Sequence, residues 1–310
     1  MLRIKELGKD TTFLAIVASL LWASAFTGVK IGLDYHTPFQ FAGVRFTLSG
    51  ILLFFYFNNR RTYWRQLVRN RRFVALVALL QTVVQYMLFY SGVNLLPASI
   101  AAMIGGSSPL FVSVVAHFGM PGDRMDRMKL FSILLGVLGV VIITLGRNMW
   151  LAGMSVSLSG VVLLLTNNLV SGWSNVLVAR HKGTISAVVL SSSSLLFGGI
   201  GLLLISFPVE GFGLRAVAPE YFAALAWLSF LSAAAFAIWY TLLQRPGVTV
   251  SGLNMWKFLI PVAGAMLSWI ILPGESADLV SVSGMIVIAL SLWLHNYANR
   301  KRTGCKKPGS

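Results

Sequence analysis

The sequence predicts an all-α membrane protein with ten transmembrane helices, arranged as two inverted five-helix repeats with the N- and C-termini cytoplasmic. Three observations lead to this prediction. Hydrophobic residues make up 56% of the 310-residue chain and charged residues only 11%, which excludes an ordinary soluble domain. The chain contains ten apolar runs, each about as long as a bilayer is thick. The proline-containing motifs of the first half also recur in the second half at a constant spacing.

The ten apolar runs are continuous rather than alternating, which favours helices over the strands of a membrane barrel. The first run continues to Gly32 without a small-residue cleavage site, so we expect a retained helix rather than a signal peptide. Within a few residues, the runs are 12–32, 39–58, 73–94, 98–118, 129–146, 157–179, 185–207, 219–244, 250–272 and 278–298.

The repeat is carried by two proline motifs. Pro109 and Pro261 lie 152 positions apart, and each precedes by twelve residues a turn of Pro, Gly and an acidic residue, at 121–123 and 273–275. Because each half has an odd number of spans, the second half must enter the membrane in the opposite orientation. The predicted organisation is a first repeat at 1–146, a connection at 147–156, a second repeat at 157–300 and a basic cytoplasmic tail at 301–310.

The distribution of positive charge sets the predicted orientation. With both termini inside, 20 of the 25 Lys and Arg residues fall in inner segments, and only Arg147 and Arg215 fall in outer loops. Cytoplasmic loops collect such residues, because translocating them is unfavourable. The remaining three, Lys30, Arg45 and Lys257, lie within the predicted helices.

The net charge of +16 raises the question of nucleic acid as a partner. Six arginines between Arg60 and Arg72, interleaved with Tyr63 and Trp64, follow the second run. Between two spans, this pattern favours an anchor at the lipid bilayer surface over a nucleic-acid patch, and we expect no nucleic-acid partner. Cys305 is the only cysteine, so the sequence contains no disulfide framework, and we expect no cofactor and no metal site.

Pro109 and Pro261 are candidate hinges. A proline inside a helix removes its own amide donor and frees the carbonyl four residues earlier, here that of Gly105 or Lys257. The freed carbonyl must bond to a neighbouring helix, to water or to a solute. Small residues next to the first hinge, including Ser107 and Ser108, leave room for either outcome.

Three cations inside helices are candidates for function. Lys257 lies about one turn before Pro261 and could attract a carboxylate or phosphate, or it could snorkel to the inner headgroups. Arg45 is expected to bridge carbonyls or to hold the outer gate, with substrate contact as the alternative. Lys30 is expected to be an interfacial anchor, with a place in the pathway as the alternative.

Polar and aromatic side chains at helical spacing complete the predicted substrate cavity, with interhelical bonding and ordinary packing as the alternatives. They are Gln81 and Gln85; Asn168, Ser171 and Asn175; Trp22 and Phe26 with Trp173 as a partner from the other half; and Tyr240. GxxxG at Gly28 and Gly32, and the small pair Gly136 and Gly139, predict helix contacts, with a homodimer face as an open alternative.

The acidic residues all fall near the predicted membrane boundaries or outside them, so a proton relay through a mid-membrane carboxylate is disfavoured. Coupling through Lys257, exchange of solutes and facilitated flow all remain open.

Several segments together resemble the ten-helix drug/metabolite transporter superfamily, specifically the EamA-type permeases. These are LLWASAFTGVKIGL at 20–33, PFQFAGVRF at 38–46, LSAAAFAIWYTLLQRPGVTVS at 231–251 and the two helix-Pro segments that end in GD and GE. The resemblance covers residues 12–298 and implies a secondary carrier that moves a small metabolite, often outward. One departure is clear: the family commonly has Glu-Pro in the ninth helix, whereas this chain has Ile260-Pro261.

The sequence therefore predicts a multi-pass transporter of the bacterial inner membrane, not an enzyme. Its expected small-molecule substrates are organic metabolites such as amino acids, including aromatic ones, exported by alternating access. A broad-specificity drug or nucleoside efflux carrier is the main alternative. A membrane enzyme is a weaker alternative, because motifs such as HExxH and GxSxG do not occur in the sequence. A channel is another weaker alternative, because it needs a continuous pore, whereas a pseudosymmetric central site suggests alternation.

Overall fold

The computed structural model describes residues 11–121, 125–150, 156–211 and 218–304. In this part of the chain, ten helices are long and apolar enough to cross a bilayer, which confirms the predicted all-α membrane fold. In chain order the helices are α1 (Thr11–Leu33), α2 (Pro38–Tyr56), α3 (Arg60–Arg69), α4 (Arg71–Asn94), α5 (Ala98–Gly119), α6 (Arg127–Trp150), α7 (Leu158–Arg180), α8 (Ala187–Glu210), α9 (Pro219–Leu243), α10 (Val250–Ile271) and α11 (Leu279–Gly304).

The boundaries differ from the predicted ones in three places. α3 is an additional short helix between two spans, in the segment predicted only as an interfacial anchor. α6 runs to Trp150, so the predicted connection 147–156 begins as helix, and residues 151–155 lie outside the described residues. α11 runs to Gly304, into the predicted tail, and Cys305 lies outside the described residues, as do Asp123 and Arg215.

Three spans are interrupted near their middles. α5 bends at Ser107, two residues before Pro109, where the backbone leaves the regular helix. α10 contains the 3-10 turn Met255–Phe258 shortly before Pro261. These two interruptions follow from the missing amide of each proline. α4 contains a π-helical segment, Ala78–Val84, which the sequence analysis did not predict.

The packing of the spans has an exchange symmetry. α2 packs along α8, and α6 packs along α11. α1 packs against α9 and α10, and α7 correspondingly packs against α4 and α5. Exchanging each span of the first half for its counterpart in the second half maps these pairs onto one another, which is the pattern that an internal repeat produces.

Glycines allow the close contact between α2 and α8. A Cβ added to Gly50 would lie 2.5 Å from the backbone nitrogen of Leu196, and one added to Gly199 would lie 2.5 Å from the backbone nitrogen of Thr47. Because backbone atoms cannot move aside as side chains do, only glycine fits at these two positions.

The predicted small-residue contacts form within this chain. A Cβ on Gly28 would meet Leu228, and one on Gly32 would meet the ring of Phe41. Correspondingly, Gly136 faces Leu110 and Ser291, and Gly139 faces Ile288. The idea that these four glycines supply a homodimer face is therefore wrong, because neighbouring helices of the same chain already cover them.

The α2–α8 contact can be tested with two glycine substitutions. We expect Gly50→Ala to lower the melting temperature of the detergent-purified protein, because the added methyl group overlaps a backbone. The matched control is Gly201→Ala, whose Cβ would lie 3.3 Å from Val83 Cγ2. It should be neutral or stabilising, because alanine is better than glycine in a helix by about 1 kcal/mol. Equal melting temperatures for the two variants would contradict the close backbone contact.

Candidate functional site

A buried cavity lies at the centre of the bundle, near the midpoints of the helices that line it. Its volume is about 80 Å³, enough for several water molecules but well below the roughly 300–1,000 Å³ of typical ligand pockets. α1, α2, α4 and α5 contribute from the first half, and α7, α9 and α10 from the second. The predicted site residues in the lining are Trp22, Phe26, Arg45, Gln81, Gln85, Ser108, Asn168, Ser171, Asn175 and Lys257.

The Lys257 ammonium lies beside two indole rings that also contact each other. Its Nζ is 5.0 Å from the ring centroid of Trp22 and 4.8 Å from that of Trp239, and the side chain is 6% exposed. A cation held against aromatic faces away from water gains about 2 kcal/mol. Nζ makes no hydrogen bond or ion pair with another described residue, so its three N–H donors are available to water or a solute in the cavity.

The Arg45 guanidinium, in contrast, is held by hydrogen bonds. Nε donates to the carbonyl of Leu228 (3.2 Å) and to Ser232 Oγ (2.9 Å), and an Nη nitrogen donates to the Tyr90 hydroxyl (2.9 Å). These bonds join α2 to α4 and α9 at a site where Arg45 is almost completely buried. They are the contacts that a structural role requires, although Arg45 also lines the cavity.

The bend of α5 is stabilised by side chains from both halves. The carbonyl of Ile104 accepts hydrogen bonds from Ser107 Oγ (2.6 Å) and from Asn168 Nδ2 of α7 (3.0 Å). The sequence analysis expected the freed carbonyl of Gly105 to need such partners, whereas the structure provides them for its neighbour. Ser107 therefore closes the helix break and does not line the cavity, contrary to the prediction.

Amide side chains make further polar contacts around the cavity. Trp239 Nε1 donates to Asn175 Oδ1 (2.7 Å), and Gln81 Nε2 donates to Gln85 Oε1 (2.8 Å). Two lining groups, Ser108 Oγ and Asn167 Oδ1, have no hydrogen-bond partner among the described residues. An unsatisfied buried polar group is unfavourable by about 1–3 kcal/mol, so both can bind water or a solute.

Two predicted cavity residues lie elsewhere. Trp173 is 53% exposed on the outside of the bundle, because it lies about half a turn around α7 from the face that carries Asn168 and Asn175. The predicted Trp22–Trp173 pair is wrong, and Trp239 takes this place at a centroid distance of 4.9 Å. Tyr240 is buried but lies outside the lining, next to Phe236.

The two prolines lie beside the cavity lining. Pro261 packs against Gly106 where α10 crosses α5, a contact that leaves no room for a Cβ. The carbonyl of Pro109 accepts a hydrogen bond from Ser113 Oγ (2.9 Å), which also bonds to Nε2 of the buried His295 on α11 (2.8 Å). Both prolines are therefore packed within the bundle.

Lys30 lies away from the cavity and bonds to the end of a neighbouring span. Its Nζ donates to the carbonyls of Val93 (3.3 Å), in the last turn of α4, and of Leu96 (3.0 Å), two residues beyond its end. Lysine near the C-terminal carbonyls of a helix is favoured, because those carbonyls lack helical partners.

Lys182 makes an equivalent contact in the second half. Its Nζ donates to the carbonyls of Arg245 and Val248 at the end of α9, both at 3.1 Å. The lysines and both of their acceptors are spaced by 152 residues, the interval between the two prolines. We call the two contacts the Lys30 clamp and the Lys182 clamp.

Some lining residues were not predicted from the sequence, among them Asn167, Phe89 and Phe236. Adjacent residues such as Trp239 and Tyr240 point about 100° apart on a helix, and the sequence did not show which one faces inward. Phe236 lies three residues before Trp239 and four before Tyr240, so helical spacing favours neither of them.

Ten spans around a polar, cation-lined central cavity are the architecture of a membrane transporter. Residues 11–145 match the model of the EamA-like transporter family. This match covers somewhat less than half of the chain, and with the relatives described next it supports an EamA-type permease of the drug/metabolite transporter superfamily. The chain is a multi-pass protein of the bacterial inner membrane.

Similar proteins cover nearly the whole chain at low identity. An uncharacterized transporter of Bacillus subtilis, YvbV, is 26% identical, with 94% of each chain covered. A probable amino-acid metabolite efflux pump of Salmonella typhimurium is 23% identical and covers 96% of this chain and 98% of its own. A crystal structure of another protein aligns with 94% of this chain at a TM-score of 0.67 and 16% identity, a likeness of fold alone.

The structural role of Arg45 can be tested by stability. We expect Arg45→Gln to lower the melting temperature more than Tyr90→Phe, because it removes all three hydrogen bonds from a buried position rather than one. Hydrogen bonds to a charged group contribute about 1.5–3 kcal/mol each. Thermal unfolding of both variants in one detergent measures the difference. If Arg45→Gln is no less stable than Tyr90→Phe, the guanidinium does not hold the three helices together.

Proposed function

We propose that this permease exports small organic metabolites, such as amino acids including aromatic ones, by alternating access. The observation that carries the proposal is the cavity itself. Residues from both halves line it at mid-helix, and its lining combines Arg45 and Lys257 with aromatic rings and amides. Two positive charges suit a carboxylate, and the rings suit an apolar side chain.

The name of the Salmonella relative, a probable amino-acid metabolite efflux pump, supports the same substrate class and direction. The size of the cavity supports a change of conformation. At about 80 Å³ it has to widen before it can admit an amino acid. We interpret this conformation as one in which the cavity is too narrow for such a solute.

The inverted repeat is the second part of the proposal. The exchange symmetry of the helix packing and the equivalent Lys30 and Lys182 clamps support two halves of similar structure. In the inverted arrangement, with both termini cytoplasmic, the clamps lie at opposite membrane faces. Alternating access then consists of releasing one clamp while the other stays closed.

Transport is tested with purified protein in proteoliposomes. Vesicles preloaded with phenylalanine, leucine or another amino acid should take up the labelled amino acid with saturating kinetics, and internal solute should accelerate uptake. Unitary electrical currents would indicate a channel instead. No flux of any amino acid would remove the substrate proposal, and a resistance panel in an efflux-deficient host would then test the drug and nucleoside alternative.

The role of Lys257 in transport is tested by comparing a neutral and a positively charged substitution. We expect Lys257→Gln to lower kcat/KM for exchange of an amino acid by at least about tenfold, since a charge-assisted contact contributes about 1.5–3 kcal/mol. Lys257→Arg, which keeps a cation and its stacking on indole rings, should retain more activity. Both variants are compared at equal reconstituted amounts and after equal melting temperatures are verified. Normal transport by both variants would exclude a functional role of Lys257.

The clamps are tested by accessibility of the cavity. In a Cys305→Ser background, an Ala25→Cys reporter lies in the cavity lining. We expect Lys30→Met to increase its labelling by an impermeant maleimide from the outside by about fivefold, because the outer contact is weakened by roughly 1 kcal/mol. Lys182→Met should increase labelling from the inside in inverted vesicles.

The control for this experiment is Arg61→Met, which removes an exposed cation that takes part in neither clamp and should leave labelling unchanged. If both lysine variants expose the reporter to the same side, the clamps are not opposite gates, and the inverted arrangement is contradicted.

A further inference from the structure

We infer that a pocket beside α3 binds the phosphate headgroup of an anionic phospholipid. The pocket has a volume of about 450 Å³ and lies between α3 and the loop that precedes α8. Arg65 and Arg69 line one side, and Gly183, Thr184 and Ser186 line the other. This site is separate from the central cavity and shares no lining residue with it.

The position of α3 places the pocket at the membrane surface. α2 ends at Tyr56 and α4 begins at Arg71, and both cross the bilayer, so the ten residues of α3 lie at one boundary of the membrane. α3 is attached to the bundle by Tyr63, whose hydroxyl bonds to Ser192 Oγ (3.1 Å) and Ser193 Oγ (2.9 Å). The helix is therefore held in a fixed position there.

The exposed surface of α3 has the pattern of an interfacial helix. Trp64 and Val68, one turn apart, are 53% and 65% exposed, and they form an apolar stripe next to the buried Tyr63 and Leu67. Arg61, Arg65 and Arg69 follow on the adjacent face. Apolar side chains that enter the acyl boundary bring these guanidinium groups to the depth of the lipid phosphates.

The guanidinium groups of Arg65 and Arg69 are available to bind a ligand. In the described part of the chain, neither Arg65 nor Arg69 makes a hydrogen bond or ion pair, and both are exposed. Guanidinium groups bind phosphate oxygens through paired N–H donors. Two arginines one turn apart can therefore approach one phosphate from the same side.

The opposite wall of the pocket is fixed to α3 without using the arginines. Ser186 N donates to Gln66 Oε1 (2.9 Å), and Asn70 Nδ2 donates to the carbonyl of Thr184 (3.3 Å). These hydrogen bonds link α3 to the loop that precedes α8 and leave the two arginine side chains free of that role. A lipid held in this pocket would join α3 to the α7–α8 connection, and hence one half of the protein to the other.

The experiment compares lipids and charge-matched variants. Purified protein is mixed with phosphatidylglycerol or phosphatidylcholine, and retained lipid is counted by native mass spectrometry. We expect the wild type to prefer phosphatidylglycerol, and Arg65→Gln/Arg69→Gln to reduce that preference by about 30-fold, since each arginine near anionic lipid contributes about 1 kcal/mol. Arg71→Gln/Arg72→Gln, which removes the same charge outside the pocket, should change it by less than about threefold.

Thr184→Glu provides an independent variant, because it places a carboxylate in the pocket and leaves both arginines in place. It should also abolish the preference, with a melting temperature in phosphatidylcholine equal to that of the wild type. The proposal is overturned if the pocket variants still prefer phosphatidylglycerol, if the Arg71/Arg72 control loses as much, or if millimolar inorganic phosphate displaces the lipid. The assay needs neither substrate nor a defined orientation, so its failure is independent of the transport proposal.

Discussion

The crossing of two interrupted helices is the constraint on which the rest of the structure depends. Where α5 and α10 cross, Gly106 packs against Pro261, and both spans depart from regular helix next to this contact. Backbone groups released inside a membrane must be satisfied by protein or by enclosed water. The Asn168 amide meets this requirement for the carbonyl of Ile104. The polar centre of the bundle therefore follows from the interruptions.

The two cations of the cavity illustrate two different ways of stabilising a charge within a membrane protein. Arg45 donates three hydrogen bonds to three groups on two helices, which suits a fixed structural element. Lys257 is held by the faces of Trp22 and Trp239, which leave its N–H donors uncommitted. An aromatic contact has little directional preference, so the ammonium can move towards a solute without leaving a hydrogen-bond partner unsatisfied. Because of this difference, Lys257 is better suited than Arg45 to bind and release a solute.

Much of the fold could be predicted because its determinants are local. Continuous apolar length predicts a span, and the interruptions of α5 and α10 occur where Pro109 and Pro261 removed amide donors. The π-helical segment of α4 contains no proline, so the same argument could not predict it. The side of a helix that faces the cavity was harder to predict than the position of the helix in the sequence. Trp173 was assigned to the cavity by its residue type, although its angle on α7 already separated it from Asn168.

By itself, the sequence determined the number of spans, the positions of two helix interruptions and the presence of cations within apolar segments, because each depends on residues close together in the chain. The tertiary structure decided that Trp239 and not Tyr240 meets Lys257, that Ile104 and not Gly105 receives the Asn168 amide, and that Lys30 and Lys182 bond to the ends of other spans. Such choices depend on the rotation of each helix about its axis. That rotation is set by packing against helices distant in the chain, and side-chain periodicity within one helix does not contain it.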